Sequence, residues 1–389
     1  MSIFRKLLLG IFFSLIIIVW GIITPIPSAL ETEIQNISPE EQPIKESPSE
    51  LKNKITVATS TINTPPKTKQ IVKIPTISPT PPKVSDVAVM ETPTPAITLI
   101  ASEIINQSLR KALVNIFCTT KSGGFFKPIT ASGVIIDPHG VILTNAHVAQ
   151  YFLLKDYGSP DFLSCDIRTG SPAKSAYKAR LLYIPGEWIE ANAGALRESV
   201  SLGTGEHDWA LLLITEPTGI NSTLPSFFDY LSPKTNFKKA ILNQPVVLGG
   251  YPSELLGGIA TAKDLYAVTS VATIKNTYFF HDENSSEIDI FSVGGNIISQ
   301  GGSSGGGVVD QTDGKLIGLV VTSTQAETTD EKILRATTLD YVSRDLKKLT
   351  GETLETLFAK NLPAEVELFA QTDFIRLKRI LEKVLSPTN

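Results

Sequence analysis

Apolar residues are distributed along the chain in three regimes. Residues 7–23 form one uncharged apolar run, residues 31–100 show no apolar periodicity, and from about Ile105 short apolar runs alternate with Gly, Pro, Asn and Asp. The first run is about long enough to cross a bilayer core. The last regime predicts an all-β domain, with strands at 113–119, 130–136, 141–144, 175–184, 209–214, 245–250, 265–274, 287–293, 306–310, 316–322 and 333–337. So many short strands suit barrels or a sandwich. From Leu339 the spacing turns helical, through Val366, Phe369, Ile375, Leu377, Leu381 and Val384, with Pro363 placed for a first helical turn. The expected organisation is a membrane segment at 1–30, a disordered linker at 31–100, a β domain at 101–345 and a helical extension at 346–389.

Composition sharpens the first two assignments. Arg5 and Lys6 precede the apolar run and Glu31 and Glu33 follow it, which orients the N-terminus toward the cytoplasm and the rest of the chain outward. An uncleaved anchor is favoured over a cleaved signal, because Pro27 takes one of the small-residue positions before Ala29. If the segment is cleaved, the product is secreted. Residues 31–100 hold 11 Pro and 17 Ser or Thr but no Gly, Phe, Tyr or Trp. Such a segment cannot bury enough surface to offset its ordering entropy, and is read as a tether. With 35 Lys+Arg against 39 Asp+Glu and a formal charge of −4, no field attracts nucleic acid.

Four histidines occur, and only His147 has an informative setting, in Thr144-Asn145-Ala146-His147-Val148 after two predicted strands. Alone, a histidine at a strand end is more often a structural or surface residue. Asp208 stands at the entrance of the apolar run Trp209-Ala210-Leu211-Leu212-Leu213-Ile214, and alone it is an ordinary turn residue. The third piece is Gln300-Gly301-Gly302-Ser303-Ser304-Gly305-Gly306-Gly307. Its glycines allow close backbone approach and can turn N–H groups toward one point. A phosphate loop would need a Gly-Lys-Ser/Thr ending and a following helix, and neither is present. Together the three pieces hold what acyl transfer needs: a serine nucleophile, a base held in one tautomer, and donors for the oxyanion.

These motifs resemble the chymotrypsin-like serine protease superfamily, and within it the bacterial HtrA/Deg group. The matching stretches are Gly133-Val134-Ile135-Ile136 with Thr144-Asn145-Ala146-His147-Val148, then Asp208-Trp209-Ala210-Leu211-Leu212, then Gly302-Ser303-Ser304-Gly305-Gly306 with Ile317-Gly318-Leu319. The resemblance covers about residues 110–345. It implies a double β-barrel with the site between the barrels, His147 as general base and acid, Asp208 orienting it, and Ser304 as nucleophile. The amides of Gly302 and Ser304 are the implied oxyanion donors. Ser304 is chosen over Ser303 because only Ser304 fits Gly-x-Ser-Gly-Gly. Ser303 then takes the position where digestive relatives carry an Asp that pairs with a newly cut N-terminus, so activity without zymogen cleavage is expected.

The resemblance also locates a substrate pocket, with Ile298 at its floor and Leu319, Val320 and Val321 on the adjoining strand. An apolar floor implies cleavage after small or medium aliphatic residues. Between His147 and Asp208 an inserted loop is expected around 188–201. After Asp340 the remaining residues read as helices, so no PDZ domain is expected. Cys118 and Cys165, 47 residues apart, are either a disulfide or two buried thiols. No metal cluster or cofactor is expected, since the histidines are scattered and the cysteines lack ligand spacing. The expected partners are protein or peptide substrates and, through the N-terminal helix, a membrane; oligomeric state is left open. The competing reading is an inactive protease-like domain that binds a partner.

Overall fold

The computed structural model describes residues 99–121, 128–197, 204–236, 242–281, 287–324, 326 and 328–386, which fall in one compact unit, Val89–Asn389. The expected membrane segment at 1–30 and nearly all of the linker at 31–100 lie outside the described residues. Among the described residues no helix is long and apolar enough to cross a membrane.

Twelve strands close into two antiparallel barrels of six. The first is built from β1 (Leu113–Thr120), β2 (Ile129–Asp137), β3 (Val141–Thr144), β4 (Leu163–Thr169), β5 (Lys174–Tyr183) and β6 (Ala210–Pro217), in the order β1-β2-β3-β6-β5-β4. The second is built from β7 (Pro245–Gly250), β8 (Val268–Tyr278), β9 (Ile290–Gly294), β10 (Gly307–Asp310), β11 (Leu316–Ser323) and β12 (Ile333–Thr338), in the order β10-β11-β12-β9-β8-β7. Closure removes the exposed sheet edges that such apolar strands would otherwise present. The arrangement fits the chymotrypsin-like double barrel.

One strand was not legible. β4, Leu-Ser-Cys-Asp-Ile-Arg-Thr, buries Leu163, Cys165 and Ile167 but turns polar residues outward between them. It therefore shows no apolar run. With β5 it takes up part of the gap between His147 and Asp208, ahead of the insertion expected around 188–201. The remainder includes α3 (Gly186–Asn192) and a 3-10 turn at Ala193–Arg197. Two further helices were missed by the β reading, α1 (Ser102–Ala112) and α2 (Ala146–Leu153). α1 buries Ile105, Leu109 and Ala112 in a core shared by both barrels. α4 (Gly258–Lys263) lies in the connection from β7 to β8.

The C-terminal part forms α5 (Leu339–Thr350), α6 (Leu354–Phe358), α7 (Leu362–Gln371) and α8 (Asp373–Leu385). Helical structure thus begins at Leu339 and runs through the expected boundary at 345. The Thr338 hydroxyl caps α5 by accepting the Tyr341 N–H at 3.0 Å, and Gly351 ends it with φ of +82°. Phe369, Leu377 and Leu381 join the core of the first barrel, and Arg376 pairs with Glu190 of α3. The extension is part of the folded unit.

Cys118 of β1 and Cys165 of β4 face each other in register and are joined by a disulfide. A cross-link over 47 residues restricts the unfolded chain, so the double variant Cys118→Ala/Cys165→Ala should lose about 4 kcal/mol. Urea unfolding with and without reductant measures it, and an unchanged midpoint in reductant refutes it.

Candidate active site

The site begins where the apolar run of β3 stops. Thr144 ends the strand, and His147 falls in the first turn of α2, so the ring leaves the barrel wall at a fixed angle. Asp208, at the entrance of β6, reaches it twice. One carboxylate oxygen accepts the His147 backbone N–H at 2.9 Å and the other lies 2.8 Å from Nδ1. A carboxylate at Nδ1 holds the proton there and leaves Nε2 as the free base. Asn145 Nδ2 donates to the Asp208 carbonyl at 3.0 Å, and Gln150 Nε2 donates to the His147 carbonyl at 2.8 Å. Asp208 is only 5% exposed. Burial of the His147 ring favours its neutral form, but the Asp208 charge and hydrogen bond outweigh this and hold its pKa above the ordinary histidine value.

From the second barrel the loop before β10 approaches this pair. The Ser304 carbonyl accepts the Ser132 N–H of β2 at 2.8 Å. Gly305, with φ of +85°, is pressed onto the first barrel: a Cβ there would lie 2.0 Å from the Ser132 carbonyl oxygen and 2.5 Å from Thr144 Oγ1. Only glycine tolerates both the conformation and the contact. Ser304 is thereby held beside the strand that leads to His147. Among the described residues no hydrogen bond links the Ser304 hydroxyl to His147, a contact that commonly tightens only once substrate is bound.

The carbonyls on either side of the serine pair's amides are tied. Gly301 C=O accepts the N–H groups of Ser253 at 2.8 Å and Glu254 at 3.2 Å, and Ser303 C=O accepts the Gly306 N–H at 2.8 Å. In a trans peptide the following N–H points the opposite way. The Gly302 and Ser304 amides are therefore turned away from these acceptors, and among the described residues neither meets an acceptor. Gly302 takes φ of +92°, where a Cβ would lie 2.4 Å from Ser253 Oγ.

Residues 131–319, which include His147, Asp208 and Ser304, match the family described as a trypsin-like peptidase domain. This chain carries a trypsin-like peptidase domain. No curated protein matches it.

Several parts of the peptidase domain were invisible in the sequence. Ser132 Oγ accepts the Tyr251 N–H at 2.8 Å and donates to Gly302 C=O at 2.8 Å, while its carbonyl accepts the Thr144 hydroxyl at 2.8 Å. One buried serine thus stitches both barrels to the serine loop. Its only local signal is a hydroxyl amid apolar neighbours in β2. Glu254 accepts the Gly301 N–H at 2.9 Å and pairs with Lys332 at 3.3 Å. The Gly301 hydrogen bond, with help from Lys332, holds the Glu254 carboxyl below its usual range. Glu254→Ala should therefore loosen the peptide next to the one that carries the Gly302 amide and lower kcat about tenfold, less than the ~10²–10³ cost of a lost oxyanion donor. Steady-state kinetics with an unchanged kcat would refute this.

The residues expected to form the pocket are packed inward. Ile298 and Val320 belong to the core of the second barrel, Leu319 to the core shared with the first, and Val321 is 3% exposed. What β11 offers at the loop is main chain. Val320 exchanges hydrogen bonds with Gly305 and Gly306 at 2.9 and 2.8 Å, and the pairing of β10 with β11 stops at Gly307 and Leu319. Among the described residues no group of His, Cys, Asp or Glu could hold a metal ion.

Proposed function

We propose that this peptidase domain is a catalytically competent serine endopeptidase. His147 removes the Ser304 proton, Ser304 forms an acyl-enzyme, and the Gly302 and Ser304 amides receive the oxyanion. The observation that carries this reading is the two-point grip of Asp208 on the backbone and ring of His147. An interaction domain has no use for a histidine held in one tautomer. The unpaired amides on the serine loop support the same reading. A fluorophosphonate probe tests it: wild type should be labelled and Ser304→Ala should not. A folded wild-type chain that resists labelling favours the binding-module reading.

Activity without N-terminal processing belongs to the same proposal. The hydrogen bonds described above for the serine loop run through Ser132, Ser253, Glu254, Gly306 and Val320. Ser303, at the position of the acid that needs a new N-terminus in digestive relatives, is buried, and its hydroxyl has no partner among the described residues. Labelling of the uncleaved chain on a denaturing gel is the expected result.

The substrates proposed are extracytoplasmic proteins, cleaved after small or medium aliphatic residues, a preference that rests on the sequence position of Ile298 alone, since its side chain lies in the barrel core. A peptide-library profile dominated by Lys or Arg would overturn the preference. An anchored enzyme acting outside the cytoplasm is likewise proposed, supported by the N-terminal run and by the disulfide, which persists in oxidising compartments. Membership of the HtrA/Deg group, which the motifs resemble, belongs to the same proposal.

A further inference from the structure

The turn that presents Asp208 is anchored on the C-terminal helix α5 by a single buried carboxylate. Asp345 Oδ2 lies 2.8 Å from His207 Nδ1 and accepts the Trp209 Nε1–H at 2.8 Å. Both chain neighbours of Asp208 are therefore tied to the same oxygen. The Tyr341 hydroxyl, one turn earlier on α5, accepts the His207 N–H at 3.1 Å. Asp208 itself sits at the centre of a tight turn, in which the Trp209 N–H bonds the His207 carbonyl at 2.9 Å, and His207 takes φ of +56°. That is a left-handed conformation which a non-glycine residue holds only when its surroundings over-determine it. Here the surroundings come from α5.

We propose that Asp345 is a positioning residue, which sets the aim of the Asp208 carboxylate at His147 by clamping His207 and Trp209 from the C-terminal helix. The proposal rests on the endopeptidase reading for its kinetic consequence only. Trp209 is fully buried and stacks on Tyr183 at 5.4 Å, so its indole is already rigid without the polar bond. The bond to Asp345 fixes its direction. His207 faces further charged groups: Glu206 lies 3.6 Å from Nε2, and Glu206 in turn meets His281 at 2.7 Å. Glu187 of α3 adds a more distant negative charge. The hydrogen bond that the His207 ring donates to Asp345, opposed by burial and helped by the charges of Asp345, Glu206 and Glu187, favours the protonated ring. The clamp is then a charge-assisted pair, and such pairs are short and directional.

Removal of the clamp leaves every group that touches substrate in place. Its effect should therefore appear in turnover and in the electrostatics of His147, not in substrate affinity. In the full chain, Asp345→Ala should lower kcat about 10- to 100-fold, the range of a small misplacement of a catalytic group. KM should stay within about twofold. Asp345→Asn, whose amide oxygen still accepts the Trp209 N–H, should recover part of the loss. The decisive readout is the His147 ring titration followed by NMR in the Ser304→Ala background, which needs no turnover. Weakened contact with Asp208 should move its midpoint down in Asp345→Ala. A folded Asp345→Ala chain with wild-type kcat and an unmoved His147 midpoint overturns the proposal. If Asp345→Ala does not fold, Trp209→Phe carries the test: it keeps the aromatic ring and removes one tie, and an unmoved midpoint there is equally fatal. Absence of wild-type labelling by fluorophosphonate would remove the endopeptidase reading while the NMR titration still decides the clamp.

Discussion

Ser304→Ala is expected to reduce kcat by about 10⁵- to 10⁶-fold, the scale on which loss of a nucleophile acts when base and nucleophile work as a unit. Ser303→Ala, one residue away, should leave kcat within a few-fold of wild type. The contrast follows from the different burial of adjacent hydroxyls. Ser303 is 1% exposed and its Oγ finds no partner among the described residues, whereas Ser304 is partly open and follows the peptide whose carbonyl is tied to Gly306. An unsatisfied buried hydroxyl costs stability, so Ser303→Ala should be neutral or slightly stabilising. Active-site titration with a fluorophosphonate, alongside thermal unfolding, measures both. Equal losses in the two variants would mean that the nucleophile has been misassigned.

The second large effect concerns pH. Asp208→Asn preserves size but removes the charge that holds His147 above the ordinary histidine value, and it permits the wrong tautomer. The sign is fixed by which form is active. The base must be neutral, so wild-type activity rises with pH through the raised His147 pKa and falls away below it. Without the charge of Asp208, burial is left to push the ring's pKa down. The acid limb of kcat/KM should therefore move to lower pH in Asp208→Asn, while the plateau drops by about 10⁴-fold. A profile that keeps the wild-type limb would show that Asp208 does not govern His147.

Much of the fold was legible because barrel strands carry their own pattern. Runs such as Val141–Thr144 and Pro245–Gly250 are buried almost throughout, and the turns between them are marked by Gly, Asn and Asp. β4 escaped because Ser164, Asp166 and the buried Arg168 break the run. α2 escaped because it begins directly after β3, and its apolar residues read as the strand's continuation. Within the site, His147, Asp208 and Ser304 were legible because each sits in a local motif. Ile298 was located by its spacing from Ser304, and the structure buries its side chain fully in the barrel core.

The sequence by itself determined the alternation that closes two barrels, the glycines that let a serine loop turn, and the residue types needed for acyl transfer. Those properties are local, set by side-chain period and by backbone freedom at each position. Only the tertiary structure decided how the loop and the aspartate are held. Ser132 reaches Gly302 across 170 residues and Asp345 reaches Trp209 across 136. A lone polar residue at a buried position has no period and no neighbouring motif. Its partner is fixed by where the folded barrels and α5 bring the chain together, and by the cost of leaving either group unpaired in the interior.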